Sequence, residues 1–295
     1  MNTSDYQLQT GAALYPDALY NRPLSRVGRT SGQLVTIGGH LQSFASAAAW
    51  PGLAEAAGLG VCRLLLPDSL QKLIGYASGV DFLPSTPAGS IAQAALQEIL
   101  QATADADGLA MGWDLSGNSD TTILLEHVID KSDKPLALFG DGLVALRHRP
   151  KAIATSSSNC LILTQTEATK LAARLGIGIG PAQDTVVHKL ELLHKLHIEL
   201  PINLVLVGPH IVVMTTEGAT VTPIPAVMAQ EKMFMTAVMC AWWIRHAPKA
   251  LSGLTCAAYI VKQTAAVLPA AATYTQSQLY QALDQALKQA DDTIW

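Results

Sequence analysis

The stretch QLVTIGGHLQSFASAAAWPGLAEAAGLGVCRLLL, residues 33–66, holds the unit from which the fold follows. Gln33–Ile37 is a short apolar run closed by Gly38-Gly39, the pattern of a buried strand entering a tight turn. Gln42–Gly58 is Ala-rich and predicts a helix, with Pro51 a candidate interruption. Val61–Leu66 predicts the next strand. Strand, helix and strand at this spacing form the crossover unit of a parallel sheet.

The alternation continues outward. Upstream, Met1–Gly32 reads as an irregular segment, with Tyr15-Pro16 and Arg22-Pro23. Downstream, helices are predicted at Pro67–Ala77, Ser90–Thr103, Asp120–Ile129, Thr166–Leu175 and Gln183–His197. Strands are predicted at Gly108–Gly112, Leu136–Phe139, Cys160–Leu163, Asn203–Val207, Ile211–Thr215 and Ala219–Thr222. Glu217-Gly218 is a turn signal joining the last two into an antiparallel edge. The remainder reads as helix in three pieces broken near Pro248 and Pro269, with Leu279, Leu283 and Leu287 on one face. We expect an α/β fold with a mostly parallel sheet covered on both faces, in one domain spanning 1–295.

Composition narrows the function. Of 295 residues, 49% are hydrophobic and only 14% charged, with a mean hydropathy of +0.27. Ordinary domains carry roughly a quarter charged residues, so a homo-oligomer with a buried interface is expected. The formal net charge of −4 and the lack of a basic block argue against nucleic acid. No apolar run reaches the roughly 20 residues of a membrane span, and Met1–Ala13 is polar, without a leader pattern. The scattered Cys62, Cys160, Cys240 and Cys256 read as core residues in a reducing cytoplasm rather than a metal site or disulfide frame.

Ligands of open α/β sheets sit at the carboxyl ends of the strands. Gly38-Gly39 there either exposes amides to an anion or simply makes a tight turn. Gly112-Trp113-Asp114 follows a later strand and offers one ionisable group, with Asn118 or Ser119 placed to cap the next helix. Asp141 suits a ribose hydroxyl or a metal-bound water, and equally a cap for a short helix at Leu143–His148. Glu167 opens a helix as a dipole partner. His194 and His197 share a helical face but lack further ligands, so no metal site is expected, and His188 reads likewise as a solvated or half-buried face.

Taken together, these stretches resemble the ADP- or ATP-dependent NAD(P)H-hydrate dehydratases of the ribokinase-like superfamily. RVGRTSGQLVTIGGH (residues 26–40) followed by EAAGLGVCRLLLP (55–67) is similar to that family's opening, H-K-G-x-x-G-R-V-L-V-I-G-G and R-x-G-A-G-L-V. GLAMGWDLSGN stands where the family has I-G-P-G-L-G, and KPLALFGDGLVAL where it has P-L-V-L-D-A-D-A-L-N-L-L. CLILTQTEATKLAARLGI stands where it has L-T-P-H-P-G-E-F-A-R-L. The resemblance implies a three-layer α/β/α sandwich. It also implies a lyase that repairs hydrated NAD(P)H by phosphorylating its hydroxyl with ATP or ADP and expelling phosphate. Gly38, Gly39, Gly112, Asp114, Asp141, Glu167 and Gly208 would line the nucleotide and substrate pocket, and the assembly would be a dimer or tetramer.

The chain departs from the family where its chemistry resides. The turn G-M-A-T-G-G-S-G-D aligns with Val227–Met235, so its later glycines fall on Glu231, Lys232 and Phe234 and its aspartate base on Met235. A thioether cannot accept the hydroxyl proton. The lysine of V-L-K-G-A-G-T becomes Val207, and the histidine of T-P-H-P-G-E has no counterpart before Gln165. Glu231 and Lys232 are the remaining catalytic candidates. The reading that follows is a catalytically impaired homologue, a scaffold or binding protein. The alternatives are a remodelled dehydratase or small-molecule kinase, or a nucleotide or nicotinamide sensor.

Overall fold

The computed structural model describes residues 6–20, 31–180, 184–246, 249–269, 271 and 273–292. The readings at Arg22-Pro23 and residues 26–30, and those on Gln183 and Pro248, lie outside these residues. Among the described residues ten strands form one sheet: β1 (Gln7–Leu8), β2 (Gln33–Ile37), β3 (Val61–Pro67), β4 (Val80–Leu83), β5 (Gly108–Met111), β6 (Leu136–Phe139), β7 (Cys160–Thr164), β8 (Asn203–Val207), β9 (His210–Thr215) and β10 (Gly218–Pro223). Their order is β1-β10-β9-β8-β7-β6-β5-β2-β3-β4. The pairings from β4 across to β8 are parallel, and β9 alone runs against the rest.

The helices are α1 (Pro16–Tyr20), α2 (Ala45–Ala56), α3 (Gln71–Ile74), α4 (Leu96–Thr103), α5 (Ser119–Lys131), α6 (Gln165–Arg174), α7 (Val186–Glu199), α8 (Lys232–Arg245), α9 (Ala250–Val267) and α10 (Gln276–Asp292). Side chains alternate along each strand, so Leu34, Ala137 and Val205 join one core while Val35, Leu138 and Leu206 join the other. The first core packs against α2, α8, α9 and α10 and the second against α4 to α7, giving the three expected layers. The central strands are buried throughout because both faces are covered.

Several expectations change. The segment read as irregular supplies β1, which pairs with β10, and α1. The helix predicted over Pro67–Ala77 is a 3-10 turn at Asp68–Leu70 followed by the single turn of α3, after which β4, unseen in the sequence, adds an edge. Gly75, with φ 72°, ends that turn. The short helix expected at Leu143–His148 is a 3-10 segment, Gly140–Leu146. Pro51 does not break α2, because burial of Ala47, Trp50, Leu53 and Ala54 outweighs one lost backbone bond.

All four cysteines are free and buried, and burial pushes the Cys256 thiol up to about 12, consistent with inert packing groups. Among the described residues no helix is long and apolar enough to cross a membrane, and no cluster of three metal-ligating side chains occurs.

Candidate functional site

From β2 the chain steps outward to β3 and β4, then returns to lay β5 on the opposite side of β2. The order therefore reverses between β2 and β5, and the crevice beyond their carboxyl ends is where this architecture binds ligands. Two turns face each other there, Gly38-Gly39 after β2 and Gly112-Trp113-Asp114 after β5.

The crevice is closed by the chain itself. The Gly38 amide donates to Leu65 O (3.3 Å) and the Gly39 amide to Trp113 O (3.2 Å). Both amides are thus spent on a neighbouring strand and on the facing turn, so of the two readings of Gly38-Gly39 the tight turn is the one present. A Cβ at Gly38 would lie 2.6 Å from Trp113 O, so glycine is required by the approach of protein backbone. Gly39 adopts φ 78°, the left-handed region that favours glycine.

Asp114 occupies the place an anion would take. It sits at φ 59°, a conformation that Asp tolerates better than most residues. Its Oδ1 accepts from Ser43 Oγ (2.8 Å), and its Oδ2 accepts from the amides of Ser46 (2.8 Å) and Ala47 (3.0 Å). These amides belong to the first turn of α2, whose own N-cap, Phe44, offers no side-chain acceptor. A carboxylate from a distant loop therefore neutralises the positive end of α2. The Asp114 backbone lies near the carboxylate of Asp141 and favours its charged form.

Behind the crevice, aromatic rings fill the interior. Phe139, at the end of β6, stacks on Trp50 of α2 (centroids 5.3 Å apart, planes 23° apart) and tilts against Trp113 (6.0 Å, 56°). A Cβ at Gly112 would fall 1.8 Å from Phe139 Cε2, so that glycine makes room for a ring. Trp50 Nε1 donates to Thr236 Oγ1 (3.2 Å), tying the rings to α8. Phe234 and Met235, at the family's glycine and base positions, are fully buried in the same core. The Glu231 carboxyl is raised by burial, opposed by the nearby Tyr274 backbone, while Lys232 is exposed; neither lines the cleft described next.

On the other face, a cleft of about 240 Å³ lies between the Gly140–Leu146 segment and α6. Asp141 and Glu167 line it together with Arg147, Lys170 and Arg174, over a floor of Leu115, Leu163 and Leu171. Partial burial raises the Asp141 carboxyl, the Asp114 amide opposes this, and the negative charges of Asp114 and Glu167 add to it. Glu167 Oε2 accepts from Thr164 N (2.7 Å) and Oγ1 (2.8 Å), while its own amide donates to Thr164 Oγ1 (3.3 Å). That reciprocal pair is a capping box for α6.

Of the positions singled out in the sequence, Gly38, Gly39, Gly112, Asp114 and Asp141 meet at the crevice, and Asp141 and Glu167 meet in the cleft. Gly208, at φ 155°, lies apart in the β8–β9 turn. Asn118 caps α5 by accepting from the Thr121 amide (2.8 Å). His197 Nδ1 lies 3.0 Å from Ile202 O, and His188 is buried rather than solvated, its Nε2 without a partner among the described residues. The three cations of the cleft were missed, although Lys170 and Arg174, four apart on α6, necessarily share a face.

No profile of a known protein family matches the chain. The bifunctional NAD(P)H-hydrate repair enzyme Nnr of Moorella thermoacetica is 27% identical over 165 residues, covering 55% of this chain; the chain spans only 30% of that relative's length. A ribokinase-like superfamily protein from Enterococcus faecalis superposes with a TM-score of 0.75 at 13% identity, covering 96% of both chains. ADP/ATP-dependent NAD(P)H-hydrate dehydratase from Bacillus subtilis, co-crystallized with ATP/Mg2+, superposes with a TM-score of 0.68 at 16% identity, covering 94% of this chain and 96% of that one. The chain has the ribokinase-like fold, and the proteins similar to it include NAD(P)H-hydrate repair enzymes.

Proposed function

We propose that this protein is a catalytically impaired relative of the NAD(P)H-hydrate dehydratases, retained as an oligomeric binding or scaffold protein. The observation that carries the reading is the Asp114 carboxylate on the Ser46 and Ala47 amides. An anion site that already holds an internal anion has no room for a phosphate and repels one. Burial of Phe234 and Met235 supports the same conclusion for the phosphate turn and the base. Loss of one preorganised oxyanion-type donor costs about 10²–10³ in rate, and loss of a general base a further factor of about 10²–10⁴.

The experiment is turnover of hydrated NADPH with ATP or ADP by the purified chain, with calorimetry of nucleotide binding alongside. Neither recovery of NADPH above the uncatalysed rate nor saturable nucleotide binding is expected; nucleotide-dependent recovery overturns the reading and restores a remodelled dehydratase. Self-association has its best support at the β4 edge. Leu73 and Tyr76 are 65% and 99% exposed there, next to a strand with no outer neighbour among the described residues. Analytical ultracentrifugation of Tyr76→Lys, set against the unaltered protein, should show a smaller species; unchanged mass removes this edge as the interface.

A further inference from the structure

We propose that the cavity between α7 and residues 178–180 binds a free α-amino acid with an aliphatic side chain. The cavity measures about 270 Å³ and shares no lining residue with the cleft beside α6. Its walls carry one carboxylate, Glu191, one ammonium, Lys195, and the apolar side chains of Ile179, Val187 and Leu192. An amino acid presents the complement of that set: an ammonium, a carboxylate and a hydrocarbon branch on one carbon.

Both charges are open to an occupant. Glu191 and Lys195 stand four apart on α7, in the order that ordinarily lets a glutamate and a lysine pair. On α10 the same spacing does so, with Lys288 Nζ 2.7 Å from Asp284 Oδ2. On α7 the pair does not form. Lys195 Nζ instead donates to Gly178 O (3.1 Å), which leaves its ammonium two further donors. The Glu191 carboxylate holds no hydrogen bond or ion pair among the described residues. Each charge therefore keeps its capacity for the opposite charge of a zwitterion, and such charge-assisted bonds are the strong ones.

The remaining walls agree. His188 is 9% exposed and lines the cavity, and its buried Nε2 has no hydrogen-bond partner among the described residues. Buried polar groups are normally paired, and a hydrogen-bonding occupant beside the ring supplies what the protein does not. Val187 is 60% exposed, apolar surface that a hydrocarbon branch covers. The volume falls below the roughly 300–1,000 Å³ usual for drug-sized ligands, which suits a single amino acid and not a dinucleotide. Leu192 belongs to the α4–α7 core, on the opposite face of the sheet from Phe234 and Met235, so the proposal does not rest on the loss of catalysis.

Titration calorimetry of the full chain with L-leucine tests this, alongside leucinamide, which lacks the carboxylate, and 4-methylpentanoate, which lacks the amine. Leucine should bind saturably, and each of the other two about tenfold more weakly or worse. Glu191→Gln should weaken leucine by about tenfold or more and leave 4-methylpentanoate unchanged. Lys195→Gln should weaken leucine similarly and leave leucinamide unchanged. Glu191 is exposed and Lys195 only half-buried, so thermal unfolding of the free variants should match that of the unaltered protein. Absence of saturable leucine binding, equal affinity for leucine and either fragment, or a leucine affinity indifferent to either substitution overturns the proposal. The assay contains no nucleotide and reads no turnover, so its failure leaves the reading of lost catalysis untouched.

Discussion

At the β2/β5 crevice, turns and side chains satisfy one another: Gly39 bonds to Trp113, Asp114 caps α2, and Trp50 and Phe139 stack behind them. Beyond β6 and β7, on the other face, the cleft beside α6 stays open, with charged groups facing each other across leucines. Both regions lie at the carboxyl ends of one parallel sheet, where the backbone creates a depression in either case. What separates them is side-chain size and charge. Bulky rings at Trp50, Phe139 and Phe234 turn one depression into core, whereas the other, lined by the long cations Arg147, Lys170 and Arg174, stays open.

The sharpest way to break the comparison is to empty the filled side. Trp50→Ala removes a ring that is 1% exposed and stacked on Phe139, and its hydrogen bond to Thr236. We expect a loss of about 3–5 kcal/mol of unfolding free energy in urea denaturation. A loss below about 1 kcal/mol would mean that the rings rest in a depression able to hold something else.

A smaller effect separates blocking by charge from blocking by bulk. Asp114→Gly fits the positive φ but removes the cap of α2, at an expected cost of about 1 kcal/mol. It also frees the Ser46 and Ala47 amides, so sulfate should stabilise the variant more than the unaltered protein in thermal unfolding. Nucleotide-driven turnover should stay absent, because Phe234 and Met235 remain in place. Turnover regained by this one substitution would make Asp114, rather than the buried side chains, the barrier.

The mildest test is pH. Burial lowers the His197, His210 and His246 pKa values, that of His246 to about 4. Their neutral forms are therefore preferred in the folded state. The stability they contribute is complete above the unfolded value, near 6.5, and is lost as the pH falls from there toward about 4. Asp141 and Glu231, raised by burial, act in the opposite sense at lower pH. The melting temperature should thus begin to fall between pH 6.5 and 5, and His246→Gln should flatten that slope. A melting temperature constant over this interval would place these rings in water.

Much of the scaffold was legible in the sequence. Short apolar runs at Gln33–Ile37, Leu136–Phe139 and Asn203–Val207 admit one periodicity and one turn chemistry, so the parallel sheet follows from them. The two-residue β1 is too short to carry a period of its own, and β4, as long as β5 and β6, carries Asp81 and is only half-buried, so it lacks their continuous apolar run; pairing partners define both. The residue type was equally plain at Met235, which the resemblance aligns with the family's aspartate base: a thioether does not accept a proton.

The sequence by itself determined the layering of the sheet and the residue types at Val227–Met235, because both depend on residue identity at fixed local spacing. Only the tertiary structure decided that the Gly38-Gly39 amides are occupied, that Asp114 serves as the anion of α2, and that Arg147, Lys170 and Arg174 line one cleft. Those are relations between segments separated by tens of residues, and hydrogen-bond partners and the direction of charged side chains are fixed by packing rather than by local sequence.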